Sequence, residues 1–139
     1  MIMRFTGMKK PRSDDSYVPG GKAGLRPKRA VIAYCNKIRE TFKESHILIA
    51  GLEASLRRFA HYDYWDDKVR RSLLLDSKAD LLLYGMAEKP MLQIVEAMRE
   101  GKKLAELRGI LGTCVAISAE ERKELGDGAL TIPSFEEVI

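Results

Sequence analysis

Apolar residues in this chain fall into two patterns: short unbroken runs that stop at glycine, and longer stretches where they recur about once per helical turn. Ile47-Leu48-Ile49-Ala50 stops at Gly51, and Leu81-Leu82-Leu83-Tyr84 stops at Gly85. Neither run alternates with polar residues, which suits parallel strands covered on both faces. Upstream, Val31, Cys35, Ile38 and Phe42 recur at i, i+4, i+7 and i+11, so residues 28–44 predict an amphipathic helix with Pro27 at its opening turn. After the second strand, Pro90 sits in the first turn of a helix with the stripe Met91, Ile94, Val95 and Met98, and Gly101 supplies its stop. Two strand–glycine units, each followed by helical material, give the βαβ rhythm of a parallel sheet. The fold class expected is α/β: a small parallel sheet with flanking helices.

The remaining stretches are shorter. Val69–Leu75 reads either as a helical turn or as a short strand; Asp66-Asp67 before it has the chemistry of a cap, which favours the helix. Leu104–Leu107 predicts a helical turn and Thr113–Ile117 a third strand. Ser118-Ala119-Glu120-Glu121 has capping-box spacing, opening a brief helix to Leu125 that Gly126 would end. Leu130 to Ile139, around Pro133, reads as an extended linker or docking segment. The organisation expected is a basic loop or arm over 1–22, an α/β domain over 23–117 and a C-terminal extension over 118–139. In the arm, Pro19-Gly20-Gly21 shapes a loop. It is either a floppy terminus or a loop laid over the sheet edge with Asp14, Asp15 and Tyr17 as contacts.

Ligands of open α/β sheets sit beyond the carboxyl ends of the strands. The segment after Gly51 therefore carries the chemistry of interest: Glu53, Ser55, Arg57, Arg58, His61, Tyr62, Asp63, Tyr64 and Trp65, with Arg70 and Arg71 further on. Arginines can clamp a carboxylate or phosphate bidentately, and the rings can stack a flat or cationic group. The structural alternative is that the arginines pair with Asp63, Asp66 and Asp67 while the aromatics plug the sheet end. Glu53 and Glu88 each follow a strand end and, with His61, would be the acid–base groups of a small enzyme; as ordinary solvated or hydrogen-bonded groups they need no such role.

Composition narrows this picture. With 139 residues, 45% hydrophobic and 32% charged, the chain reads as one globular domain. Its apolar runs fall far short of the roughly 20 residues that span a bilayer, and MIMRFTGMKK lacks the apolar core of a signal peptide. A cytoplasmic protein is expected. Cys35 and Cys114 are far apart and outside any CxxC, so they read as buried thiols rather than a disulfide or metal site. No GxxxxGK[ST], HExxH, GxSxG or GxGxxG occurs, and two histidines cannot build a multi-histidine metal site. Residues 1–45 hold 11 Lys+Arg against 4 Asp+Glu, while 46–139 hold 13 against 16. A basic arm with Lys9, Lys10 and Arg12 makes nucleic-acid binding the alternative function, recognisable by its salt dependence.

Several motifs together resemble a known family. Asp14-Asp15-Ser16-Tyr17-Val18-Pro19-Gly20-Gly21, Gly51-Leu52-Glu53-Ala54-Ser55-Leu56-Arg57-Arg58, His61-Tyr62-Asp63-Tyr64-Trp65, Val69-Arg70-Arg71-Ser72, Asp76-Ser77-Lys78-Ala79-Asp80 and Pro133-Ser134-Phe135-Glu136-Glu137-Val138 resemble the second half of the amino-terminal domain of the YgiQ-type radical S-adenosylmethionine (SAM) proteins. More loosely, Ala50-Gly51 and Gly85-Met86-Ala87-Glu88 resemble the glycine turns of cobalamin-binding-like Rossmann domains. The resemblance implies a longer family protein, with upstream strands completing the sheet and a downstream barrel whose CxxxCxxC holds a [4Fe–4S] cluster and SAM. This chain has no CxxxCxxC and no DxHxxG, Ala50 stands for a glycine, and Met86-Ala87 alter the second turn. The expectation is a non-catalytic accessory domain whose partner is that barrel. It binds no cofactor or metal of its own, contacts substrate through the eleven residues Glu53 to Arg71 named above, and is prone to self-association at an open sheet edge.

Overall fold

The computed structural model describes residues 8–124, 128 and 130–139. The expected α/β architecture with flanking helices is borne out. Its centre is β4 (Leu81–Leu83), whose three leucines are wholly buried. On one side β1 (Leu48–Ile49) pairs with it in parallel, Leu48 opposite Leu81 and Ile49 opposite Leu82. On the other, β5 (Thr113–Cys114) pairs antiparallel, Leu82 opposite Cys114 and Leu83 opposite Thr113. The sheet is thus mixed, and its third strand is shorter than the run 113–117.

Alternation along the strands sorts the core into two layers, because successive side chains point to opposite faces. Ile47, Ile49 and Leu82 meet Cys35 of α1 (Ala30–Thr41) and Leu73 and Leu74 of α3 (Leu73–Ser77) on one face. Leu81 and Leu83 meet Ile94 of α4 (Glu88–Arg99) and Leu104 and Leu107 around a 3-10 turn on the other. At the amino ends of the parallel strands, Asp80 accepts from the Ile47 N–H at 2.7 Å and pairs with Arg39 at 2.8 Å, so one carboxylate fixes the end of α1 to the strand pair.

The helices follow their stripes only in part. On α1, Cys35 is buried and Val31 half-buried, but Ile38 and Phe42 face outward beside Tyr34. Two apolar stripes overlap on this helix, and the core takes Val31, Ile32 and Cys35. Val95 and Met98 of α4 are likewise exposed, while Ile94 is buried and Met91 packs beside it.

The crossover from β1 to β4 holds the main departure from expectation. After α2 (Leu52–Leu56) comes a hairpin of β2 (His61–Asp63) and β3 (Lys68–Arg70), with His61 opposite Arg70 and Asp63 opposite Lys68. Val69 therefore belongs to a strand and Leu73 to a helix. The helix is capped by Ser72, whose Oγ accepts the Leu74 N–H at 3.2 Å, and not by Asp66-Asp67, which form the hairpin turn with Asp67 in the left-handed region. The Leu73 N–H donates to the Arg57 carbonyl at 2.8 Å and closes the hairpin's base.

Near the amino terminus the loop around Pro19-Gly20-Gly21 is shaped. Asp15 is buried at its centre, accepting from Arg26 at 2.6 and 2.8 Å and from the Tyr17 N–H at 3.1 Å. The Arg26 hydrogen bonds hold the Asp15 carboxyl below its ordinary range. The capping box at Ser118 is present, opening α5 (Ala119–Glu124); the end expected at Leu125–Gly126 lies outside the described residues. Ser134 and Glu137 repeat the same reciprocal bonds, so the tail turns at Phe135 rather than running fully extended. Phe135 lines shallow clefts with Arg70, Arg71 and Arg58.

Candidate functional site

The carboxyl ends of β1 and β4 lie side by side, as the two glycine-terminated runs require. Gly51 has φ 92° and ψ −171°, a backbone region open essentially to glycine alone, and this lets β1 turn directly into α2. Ser55, one turn into α2, donates to the Gly51 carbonyl at 2.9 Å and accepts the Gly85 N–H at 3.0 Å. A single hydroxyl thus ties the turn after β1 to the turn after β4. Beyond both glycines the space is open to 4 Å where a Cβ would stand.

Past the end of β4 the edge opens into a cleft of about 730 Å³. Its floor is Tyr84 and Gly85, one wall is the first turns of α4, and the other is the loop Gly109–Gly112 entering β5. The antiparallel β5 creates this wall, because its amino end abuts the carboxyl end of β4. Lys89, Gln93 and Arg108 supply the polar lining. The sequence placed a ligand crevice at the strand ends but not this lining, since Lys89 and Arg108 both reach the cleft only through that pairing; the glycines at 109 and 112 were the signal that a loop approaches the strand end.

Of the residues singled out from the sequence, Ser55 lies at this edge and none of the eleven lines the cleft. Arg57 pairs with Glu53 at 2.8 Å along α2. Arg70 and Arg71 pair with Asp76 at 2.8 and 3.3 Å, and Arg70 reaches Asp66 at 3.5 Å. Arg29, preceding α1, lies 2.5 Å from Asp63 and pairs with Asp66. Asp63 is fully buried and also accepts the Trp65 N–H at 3.0 Å. Burial pushes its carboxyl up, but the Arg29 guanidinium, the Trp65 N–H and the charge of Arg57 outweigh this and hold it below its ordinary value. The hairpin is therefore an ion-pair node joining α1, β2, β3 and α3, and for these arginines internal pairing is what the structure contains.

The other named residues are spread around it. Arg58 lies against the rings of Phe59 and Tyr84, 4.8 and 4.9 Å from their centres, and donates to the Ser55 carbonyl. His61 Nδ1 is 3.1 Å from the Phe59 carbonyl, while its Nε2 is buried with no hydrogen-bond partner among the described residues. The Tyr62 hydroxyl donates to Asp67, and that bond raises its pKa. Tyr64 meets Trp65 edge to face at 5.9 Å and carries the Lys9 ammonium 4.4 Å over its ring. Glu53, His61 and Glu88 do not line the strand-end cleft. Among the described residues no three His, Cys, Asp or Glu side chains converge as metal ligands, and no helix is long and apolar enough to cross a membrane.

Fold and site together define an α/β domain with a stapled strand-end edge, an adjoining cation-lined cleft and a buried ion-pair node. The chain belongs to the family described as Radical SAM N-terminal, whose family model matches residues 1–139. It is similar to a UPF0313 protein of Clostridium botulinum (strain ATCC 19397 / Type A), 56% identical over 138 residues, which is 99% of this chain and 21% of that protein. UPF0313 proteins of Clostridium perfringens strains ATCC 13124 and SM101 are 50% and 49% identical over 138 residues, again 99% of this chain and 20% of theirs. The chain thus spans about a fifth of the length of these relatives. No solved structure matches it.

Proposed function

We propose that this chain is a non-catalytic accessory domain of a cytoplasmic radical SAM protein, shaping the route by which a substrate or cofactor reaches a reacting centre on another domain. The observation that carries the reading is the pair of adjacent strand ends, turned at Gly51 and Gly85 and stapled by Ser55, with open space beyond them. The strand-end edge is the surface such a domain would present, and the hairpin node gives it a rigid backing.

Family membership implies a [4Fe–4S] cluster and SAM. Iron in such clusters is held by cysteine thiolates. The cysteines of this chain do not fit that role: Cys35 is buried in the apolar cluster on the α1 face, Cys114 packs against the same cluster, and burial pushes both thiols above their ordinary range. In this reading the cluster and SAM belong to a barrel domain elsewhere in the family protein, and the residues here bind, orient and shield.

Anaerobic reconstitution with iron and sulfide, followed by reduction in the presence of SAM, tests this. The full-length C. botulinum relative is expected to release 5′-deoxyadenosine and the present chain alone to release none. Release by this chain alone would refute the accessory reading.

A further inference from the structure

Resting on that reading of the strand ends, we propose that the cleft beyond β4 binds a small organic anion with an apolar or aromatic body, a ligand of the nucleoside monophosphate kind. Its volume of about 730 Å³ falls within the roughly 300–1,000 Å³ usual for small-molecule sites. The charge of its lining is one-sided. Lys89 and Arg108 contribute cations and Gln93 an amide, while among the described residues no carboxylate lines the cleft.

Lys89 makes no ion pair among the described residues, so none of their carboxylates competes with an anion for its ammonium. Arg108 gives one guanidinium nitrogen to Glu121 at 3.1 Å in an exposed pair, which holds it loosely and leaves the rest of its planar fork for a second acceptor. Glu88, next to Lys89, is exposed and lies outside the lining. The two cations reach the cleft from different elements, Lys89 from α4 and Arg108 from the loop before β5, so an anion in the cleft has two separately anchored partners.

The remainder of the lining is apolar. Met86 and Leu111, 83% and 89% exposed, are large side chains left in water at this cleft, with Pro90 and Ile110 beside them. Exposed apolar groups gathered beside cations form a surface for a ligand with two unlike ends. Inorganic phosphate would engage only the cations and a neutral nucleoside only the apolar wall. A nucleoside monophosphate engages both.

The test is calorimetric titration of the purified 139-residue chain with AMP, adenosine and inorganic phosphate. AMP is expected to bind saturably, about tenfold or more tightly than either of the others, since a charge-assisted contact is the stronger kind. Its binding should weaken as ionic strength rises towards physiological values. Lys89→Gln is expected to weaken it about fivefold and Lys89→Gln with Arg108→Gln more than about tenfold, since each removes one charge-assisted partner. Circular dichroism and the thermal midpoint of the single variant should be unchanged, because Lys89 is exposed and in no ion pair among the described residues. Equal binding of AMP and adenosine would overturn the role of the cations, and equal binding of AMP and phosphate that of the apolar wall. No saturable binding at millimolar concentration, or AMP binding indifferent to Lys89→Gln, would overturn the site. None of these outcomes bears on release of 5′-deoxyadenosine, so the ligand assignment and the accessory reading fail separately.

Discussion

Replacing Asp63 by asparagine should unfold this chain far more readily than any surface change. The Asp63 side chain has no exposed area, faces Arg29 at 2.5 Å and Arg70 at 4.0 Å, and accepts the Trp65 N–H at 3.0 Å. Asparagine keeps the shape and the acceptor for Trp65 but removes the charge, leaving two largely buried guanidinium groups short of a counter-ion. Breaking a buried pair from one side costs about 3–5 kcal/mol. Arg29 retains Asp66, and Arg70 retains Asp66 and Asp76. The lower end, about 3 kcal/mol, is therefore expected, a fall of roughly 9–15 °C in Tm for a domain of this size. Trp65 is the single tryptophan, so urea unfolding followed by its fluorescence reports from within the node.

The pH dependence supplies a second check on the same variant. The folded Asp63 carboxyl lies below its ordinary value, so its contribution is fully present above the unfolded value of about 3.9 and is lost as pH falls through the folded value. The stability gap between the natural chain and Asp63→Asn should hold steady from neutrality to about pH 5 and shrink below about pH 4. A gap under about 1 kcal/mol at neutral pH, the size of an exposed pair, would refute the argument. So would a gap as large in acid as at neutrality.

Other substitutions probe single links. Ser72→Ala removes the cap of α3 and should cost about 1 kcal/mol by urea unfolding; an unchanged midpoint would show that the Oγ bond to Leu74 adds nothing. Gly51→Ala meets no atom within 4 Å, so its cost is backbone strain alone, about 1–3 kcal/mol. A neutral Gly51→Ala would mean that the turn after β1 is not the one described. Leu82→Ala, in the centre of the buried strand, should cost about 2–5 kcal/mol, and a smaller loss would place Leu82 nearer the surface. The thiol of Cys35, buried and with a raised pKa, should resist a thiol reagent until the chain unfolds, whereas prompt labelling in the native state would contradict its place in the core.

The parts of the fold legible in the sequence were those written in one local pattern. Leu81-Leu82-Leu83-Tyr84 had to be a buried strand because no face of it could meet water, and Gly51 and Gly85 marked where the chain turned. The capping box at Ser118 was legible because its two bonds lie within four residues. What escaped depended on partners distant in the chain. The hairpin strands are three residues each and largely polar, too short for a period to show. Arg29 and Asp63 are far apart in sequence, so nothing local announced that the arginines and aspartates between Arg57 and Asp76 would be spent on one another. On α1 the pattern offered two overlapping stripes, and only the packing of α3 selected Val31 and Cys35 over Ile38 and Phe42. A crevice at the strand ends was legible; its second wall was not, because that wall arrives with an antiparallel strand from about thirty residues downstream.

The most direct test of the central claim is a nuclear Overhauser experiment on the uniformly labelled chain. Parallel pairing of β1 and β4 should give cross-strand contacts in the register Leu48 with Leu81 and Ile49 with Leu82, and the Gly85 amide should exchange slowly in the natural chain and quickly in Ser55→Ala. An antiparallel pattern between these runs, no contact between them, or a Gly85 amide indifferent to Ser55 would contradict a shared, stapled strand-end edge.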